Sequence, residues 1–356
     1  MRLDFAHFHK SKAPITILAE GYWGTRHAKT AYGVMRYGSF EISSIIDSKA
    51  TGEKIVASIE KALELEPRPQ ALLLGIAPIG GQLPETWLQI IKKAIKQKMH
   101  IINGLHLFLN QMPELSKLAK ENNVELFDLR DPYLFEASKY DSINKLEKRN
   151  NKNKIITMVG SDCNVGKMCT AIELDRECKR RNLSSSFLAT GQTGIMIAGD
   201  GIPLDRIIGD FMAGATENLV NNEINKNDPE YIFVEGQGSL LHPAYSGVTL
   251  ALMHGSNPDY MILCSKPSNK VILGGYDVKI PSFIELIEIY EKAASLIQSK
   301  NSKVIGIALN TSEMSENEAK ELILKIQEET KLPVTDVIRY GATKLVDQVV
   351  KYANQI

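Results

Sequence analysis

Apolar positions in this chain fall into short dense runs, and the stretches between them alternate apolar and polar residues at helical spacing. Runs at 15–19, 41–46, 71–74, 100–102 and 124–127, then at 155–159, 186–189, 231–234, 260–264 and 304–309, have the length of strands. Between them lie helix-compatible stretches at 26–36 and 84–97, and a third that runs to about Arg181. Two later helices are marked by capping boxes, Ser282 with Glu285 and Ser315 with Glu318, in which hydroxyl and carboxylate satisfy backbone donors reciprocally. Strands that alternate with helices of about 10–15 residues predict parallel sheets with helices on both faces.

The alternation breaks once. From 139 to 154 the chain is polar and charged, with paired asparagines at 150 and 151 and no apolar period, and it reads as a linker. The expected fold class is therefore α/β: a Rossmann-like N-terminal domain at 1–138, a linker at 139–153, and a P-loop NTPase-like parallel-sheet domain at 154–356. A chain of 356 residues suits about two domains.

Composition narrows the function. Hydrophobic residues at 44% and charged residues at 24% are those of an ordinary soluble protein. Lys+Arg and Asp+Glu are both 42, so there is no basic surplus to track a nucleic acid or an anionic membrane, and neither is an expected partner. No stretch approaches the roughly 18 apolar residues of a membrane span, and residues 1–10 are polar, with two histidines and no apolar targeting core. A cytoplasmic protein is expected. Cys163, Cys169, Cys178 and Cys264 lack the paired spacing of a zinc site and suit a reducing compartment; no metal site is expected.

The strongest chemical signal follows the run at 155–159. Gly160-Ser161-Asp162-Cys163-Asn164-Val165-Gly166-Lys167 places a Gly-rich turn ending in Gly-Lys between a strand and a helix. That layout lets backbone N–H groups and a lysine wrap a pyrophosphate. In a loop built for nucleotide hydrolysis, a Ser or Thr follows the lysine and holds Mg²⁺. Here Met168 follows, a soft thioether unsuited to a hard cation, then Cys169 and Thr170.

Three further stretches sit at strand ends, where open parallel sheets bind ligands. The run at 231–234 ends in Glu235-Gly236-Gln237-Gly238, with His242, Tyr245 and Ser246 close behind. The run at 186–189 leads into Thr190-Gly191-Gln192-Thr193-Gly194, followed by Asp200, Asp205 and Asp210. Five-residue spacing turns successive acids by about 140° on a helix, so those three do not share a face. In the first domain, Gly21 and Gly24 with Asp47 form part of a dinucleotide fingerprint that lacks its third glycine, and Arg26, Lys29 and His106 are candidates to face that crevice. The other histidines carry no ligand spacing, and Trp23 and Trp87 are expected to pack.

Two families share these strings. The loop at Gly160 and the Val-Glu-Gly-Gln-Gly strand end resemble those of dethiobiotin synthetase and related amide-forming ligases. The closer resemblance is to the D-glutamate N-acetyltransferase-like family, long catalogued as a domain of unknown function. It is carried by the loop, by ATGQTGIMIAG at 189–199, by EGQGSLLHPAYSG at 235–247, and in the first domain by Ala28-Lys-Thr-Ala31 and Asn103-Gly-Leu-His106. The resemblance implies transfer of an acetyl group from acetyl-CoA to the amine of D-glutamate, with an enolase-type racemase or epimerase acting next. Coenzyme A carries a pyrophosphate that the loop from Gly160 to Thr170 can hold without a metal.

Such a transfer needs a group to take a proton from the amino-acid ammonium and donors for the tetrahedral oxyanion. Glu235 or His242 is the candidate base, and Lys167 or the N–H groups of 236–238 are candidates for the oxyanion. Thr190, Gln192, Thr193, Gln237, Tyr245 and Ser246 are candidates to bind the small-molecule substrate. Cys163 invites a covalent acyl-enzyme, but no histidine is positioned by sequence to assist it. An ATP- and Mg²⁺-dependent ligase or kinase, with Thr170 or Glu235 replacing the missing metal ligand, and a non-catalytic nucleotide or CoA sensor are the alternatives. A symmetric homo-oligomer is expected for a two-domain metabolic enzyme.

Overall fold

The computed structural model describes residues 3–76, 83–132, 143–145, 152–297 and 302–354. The chain divides into two compact units: Met1–Glu136 with Gln192–Arg206, and Ala137–Gly191 with Ile207–Ile356.

The first unit is built on β1 (Pro14–Leu18), β2 (Glu41–Ile46), β3 (Ile55–Val56), β4 (Ala71–Leu74), β5 (His100–Asn103) and β6 (Leu126–Asp128). All pair in parallel, in the order β3-β2-β1-β4-β5-β6. This is the Rossmann-like, doubly wound order, whose winding reverses between β1 and β4. Ile15, Ile17 and Leu18 of β1 and all of β4 are fully buried, which is why these strands read as unbroken apolar runs. The helix Glu85–Lys96 turns Trp87, Ile91, Ala94 and Ile95 into the same core.

Two local readings differ from the sequence expectation. The polar N-terminus forms a helix, Phe5–Lys10, capped by Asp4, whose side chain accepts the His7 N–H. Phe5 and Phe8 pack edge-on and tilted against Phe127; at under two turns, the helix shows too few apolar positions to betray a period. The stretch at 26–36 begins as a 3₁₀ turn, Arg26–Ala28, and continues as the helix Lys29–Tyr37. The glycine-rich turn after β4 lies outside the described residues from 77 to 82.

The segment Gln192–Arg206 packs in this first unit as a helix, Gln192–Ala198, and a 3₁₀ turn, Leu204–Arg206. Thr193 Oγ1 lies 3.1 Å from Thr30 Oγ1, and His9 Nε2–H donates to the Ile197 carbonyl at 3.0 Å. Arg130 ion-pairs with Asp205 and donates through Nε to Gly104 O at 2.8 Å. Asp210 instead sits in the first turn of the helix Gly209–Asn227 in the second unit.

The second unit carries β7 (Lys154–Gly160), β8 (Ser185–Leu188), β9 (Tyr231–Val234), β10 (Tyr260–Ser265), β11 (Lys303–Leu309) and β12 (Val334–Thr335). They pair in parallel in the order β12-β11-β10-β7-β9-β8. β7 is central and buried from end to end. Its Ile156 and Met158 join a core with Leu174, Leu345 and Val346, and Val159 joins another with Met253, Leu286 and Tyr290. Helices thus cover both faces. Both expected capping boxes form, at Ser282 and Ser315. The expected linker falls largely outside the described residues; Asn144 and Lys145 bond to His254 O and the Glu217 carboxylate of the second unit.

One pH response follows from the loop after β5. Burial, then the charges of Arg130 and Arg206, lowers the His106 pKa from 6.5 to about 4, although Asp205 Oδ2 lies 3.9 Å from its Nε2. The unfolded chain therefore binds the extra proton first, and this contribution to stability is lost as pH falls from 6.5 towards 4. The side chain is nearly half exposed, so the effect is modest. Denaturant midpoints measured across that window should fall less steeply for His106→Gln than for the parent; equal slopes would refute the assignment.

Candidate active site

β7 delivers the chain into the turn at 160–166, and the helix Lys167–Arg180 starts at its end. Asn164 and Gly166 take φ of +56° and +106°, the left-handed region that Asn tolerates and Gly adopts freely. The turn therefore aims backbone N–H groups and a helix N-terminus at one spot, an anion-binding geometry. Lys167 is 6% exposed, and its Nζ donates to Asp162 O at 2.7 Å. Burial lowers its pKa, opposed by the negative charge that Cys163, Cys264, Asp162 and Glu235 can carry. Those four groups thus lie within electrostatic reach of one ammonium.

β9 is the direct neighbour of β7 and brings Glu235 beside the loop. Glu235 Oε2 accepts the N–H groups of Thr190 at 2.9 Å and Gly191 at 3.2 Å. Thr190 Oγ1 donates to Glu235 O at 2.8 Å and accepts from Gln237 Nε2 at 3.2 Å. Thr190, Glu235 and Gln237 therefore form one network. A Cβ on Gly236 would lie 1.9 Å from Met158 O and 2.7 Å from Lys167 Cδ, so only glycine fits there.

The next turn supplies His242, Tyr245 and Ser246. His242 is buried, its ring 4.5 Å from that of Tyr245 and 5.1 Å from that of Tyr276. Ala244 N–H donates to His242 Nδ1 at 3.2 Å, which leaves the proton of a neutral ring on Nε2. Ser246 opens the helix Ser246–Ser256, and its N–H donates to His242 O at 2.9 Å.

Other candidates make contacts of their own. Gln192 and Thr193 belong to the first unit, where Thr193 meets Thr30. Ser161 Oγ donates to Ser265 Oγ at 3.0 Å. Thr170 is 2% exposed, and its hydroxyl accepts from the Cys264 thiol at 3.5 Å, turned towards β10. Met168 and Cys169 are half-buried in the first helical turn. Burial pushes Cys264 up to about 11 and Cys178 up to about 12, so both remain thiols at neutral pH. In the first unit, Asp47 accepts N–H groups from Trp23 at 3.0 Å and Lys49 at 2.9 Å, closing the Gly21–Gly24 turn on itself. Beside that turn lies a cavity of about 690 Å³ edged by Tyr22, Ser48, Lys49 and Trp87.

Two contributors were not read from sequence. Tyr290, fully buried on the helix Phe283–Ser295, donates to Gly160 O at 2.7 Å and accepts the Leu240 N–H at 3.1 Å. It ties the phosphate loop to the turn that follows Glu235. A short hairpin, bridged at Val271 and Lys279, sets Leu273 N–H on Asp162 Oδ2 at 2.8 Å. Gly274 and Gly275, at φ of +96° and +82°, form its tip; this Gly-Gly pair after a strand end was the available signal.

Among the described residues, one set of side chains is close enough to hold a cation. Ligand atoms of Asp162, Cys163 and His242 all lie within 4.8 Å of one another. Asp162 already accepts the Cys163 N–H on Oδ1 at 2.6 Å and the Leu273 N–H on Oδ2. Its carboxylate is thereby built into the loop wall. No helix among the described residues is long and apolar enough to cross a membrane.

Comparison with known proteins places these features in company. The profile described as domain of unknown function DUF1611_C, a P-loop domain, matches residues 142–346, and that of DUF1611_N, a Rossmann-like domain, matches 40–132. A D-glutamate N-acetyltransferase of Tritonibacter scottomollicae is 39% identical over 280 residues, 78% of this chain and 80% of that protein. One from a Pseudoalteromonas species is 37% identical over 277 residues, with 78% and 80% covered. The crystal structure of a DUF1611 family protein from Anabaena variabilis superposes with a TM-score of 0.85 at 35% identity, covering 95% of this chain and 99% of that one.

Two substitutions test the site's construction. Tyr290→Phe leaves the buried Gly160 carbonyl and Leu240 N–H without their partner, and should lower unfolding stability by about 1–3 kcal/mol in urea titration. Gly236→Ala forces the Met158 carbonyl aside and should lower the melting temperature by an amount equivalent to about 1–3 kcal/mol or more. Parent-like stability in either variant would contradict the packing described.

Proposed function

The chain belongs to the DUF1611 family and is an enzyme of the acyltransferase class, and on that footing we propose that it moves an acetyl group from acetyl-CoA to the amine of D-glutamate or a closely similar amino acid. The observation that carries the reading is the first turn of the helix Lys167–Arg180. It offers a buried lysine and an anion-binding turn, while Met168 stands where a metal-holding hydroxyl would be and Thr170 is turned to Cys264. That is equipment for gripping a pyrophosphate by charge and N–H groups.

The cradle fits the group. Gly160 and Gly236 both lack the Cβ that would crowd Lys167, so the lysine stem can lie across the strand ends. The backbone N–H groups of the turn after Gly160 and the Lys167 ammonium would hold the phosphates of the donor, with Lys167 also facing the oxyanion of the transfer. Glu235 is assigned the proton-accepting role towards the acceptor amine, because its anchorage at Thr190 and Gly191 fixes the carboxylate's direction. His242, whose Nδ1 is engaged by Ala244, serves as a donor through Nε2 rather than as a base. Gln237, Tyr245 and Ser246 would contact the acceptor. An enolase-type racemase or epimerase is the expected consumer of an N-acetylated D-amino acid, which has the acidified α-carbon such an enzyme deprotonates.

The test combines binding with turnover. Calorimetric titration of CoA and ATP, each with and without Mg²⁺, should show CoA binding that ignores the metal. Lys167→Ala should weaken it roughly tenfold or more, the loss of a charge-assisted hydrogen bond of ~1.5–3 kcal/mol. Acetyl-CoA-dependent consumption of D-glutamate should proceed without nucleotide. Mg²⁺-dependent ADP release, with no CoA signal, would replace this reading with the ligase.

A further inference from the structure

Cys163 is set apart from the other three cysteines by its surroundings. Cys178 and Cys264 are fully buried and held as thiols, and Cys169 lies inside the helix. Cys163 is partly exposed, as Cys169 is, but lies in the phosphate loop itself. Its sulfur lies within 4.8 Å of a His242 ring nitrogen and of an Asp162 carboxylate oxygen. The side chain of Lys167 lies within electrostatic reach, and the helix Lys167–Arg180 begins four residues on. A lysine, a buried histidine and a helix N-terminus around one partly exposed sulfur are the surroundings of a nucleophilic cysteine. The histidine that sequence spacing could not supply is brought in by the turn after Glu235.

We propose that Cys163 is the acyl-carrying nucleophile, so that transfer runs through an acetyl-Cys163 thioester rather than by direct attack of the amine on acetyl-CoA. This inference rests on the acetyltransferase reading and specifies its route. The Cys163 thiol first loses its proton to solvent. Its sulfur attacks the thioester carbonyl, an Sγ–C bond forms, and the carbonyl oxygen takes the negative charge, facing Lys167 and His242 Nε2–H. Collapse breaks the bond from carbon to the CoA sulfur, and CoA leaves as a thiolate that takes a proton from solvent. The acceptor ammonium, having given one proton to solvent, then attacks as the amine. A C–N bond forms, its remaining extra proton passes to Glu235 and on to solvent, the C–Sγ bond breaks, and the thiolate returns. No oxidant or further reactant is needed. The first half exchanges one thioester for another, so it is close to balanced in energy and reversible.

That reversibility defines the experiment. Full-length enzyme is mixed with acetyl-CoA and isotopically labelled CoA, with no amino acid present, and label in acetyl-CoA is followed. Intact-mass and peptide analysis of the quenched enzyme locates any added acetyl group. The parent should catalyse the exchange and carry one hydroxylamine-sensitive acetyl group on the peptide containing Cys163. Cys163→Ala and Cys163→Ser should both abolish exchange while still binding CoA in titration, and Cys178→Ala, outside the loop, should retain it. Acetylation of D-glutamate by the parent without exchange, together with substantial turnover by Cys163→Ala, would overturn the covalent route and leave the acetyltransferase reading standing. Turnover that depends on added zinc, is lost on chelation and leaves Cys163 unacylated would also overturn it, in favour of a metal held by Asp162, Cys163 and His242. Absence of any acetyl transfer to an amino acid would instead remove the underlying reading.

Discussion

The second unit depends on how closely β9 ends against β7. Gly236 packs on the carbonyl of Met158 with no room for a Cβ, and the aliphatic stem of Lys167 crosses the same place. That approach sets Glu235 next to the phosphate loop and directs the Lys167 ammonium back onto Asp162 O. Glycines at 160 and 236 serve one purpose: they make space for a buried cation at the carboxyl ends of two inner strands. Tyr290 then ties the loop's first carbonyl to the turn after Glu235, so loop and strand end cannot move independently.

Burying Lys167 is costly, because its charge leaves water. The surrounding groups offset that cost with partial or full negative charge: the Asp162 carbonyl at 2.7 Å, the Asp162 and Glu235 carboxylates, and the Cys163 sulfur. An anionic ligand would complete the same balance. The site is therefore poised around one cation whose neighbours are carried by two adjacent strand ends, and its chemistry follows from which of those neighbours can react. The carboxylates of Asp162 and Glu235 are each held by two backbone N–H groups, which suits them to orientation and proton traffic. Cys163 adds a partly exposed sulfur to the groups around Lys167.

Much of this was legible in the chain. Ten of the strands coincide with dense apolar runs because both sheets are buried on two faces, where periodicity gives way to continuous hydrophobicity. The two that were not foreseen, Ile55–Val56 and Val334–Thr335, are two residues long and lie at sheet edges. The helices Gly209–Asn227 and Ser246–Ser256 escaped for another reason. They cross so closely that a Cβ on Gly255 would sit 2.1 Å from Ala213 O, and that contact uses small residues where an apolar stripe would otherwise show. Asn164 was readable in its turn because its residue type tolerates the left-handed region it occupies. Tyr290 was not, since an aromatic on an amphipathic helix looks like core, and only the fold reveals that its hydroxyl reaches a loop 130 positions away.

The meaning of Met168 changes once its neighbours are placed. Its oddity in the sequence rested on a missing hydroxyl, with Thr170 as the ready substitute two positions on. Thr170 is buried and turned to the Cys264 thiol, so it serves the packing of helix on sheet. Within that first helical turn, what faces the loop is then a cation and a helix dipole, with the Cys163 sulfur in the loop itself. Phosphoryl transfer asks for a hard cation to gather phosphate oxygens, and this turn offers no hard donor to hold one. Thioester chemistry asks for a soft nucleophile kept anionic and for donors to a transient oxyanion. Under the acetyltransferase reading proposed above, these side chains come together because Gly236 lets β9 come near enough to bring Glu235 and the turn of His242 to the same loop.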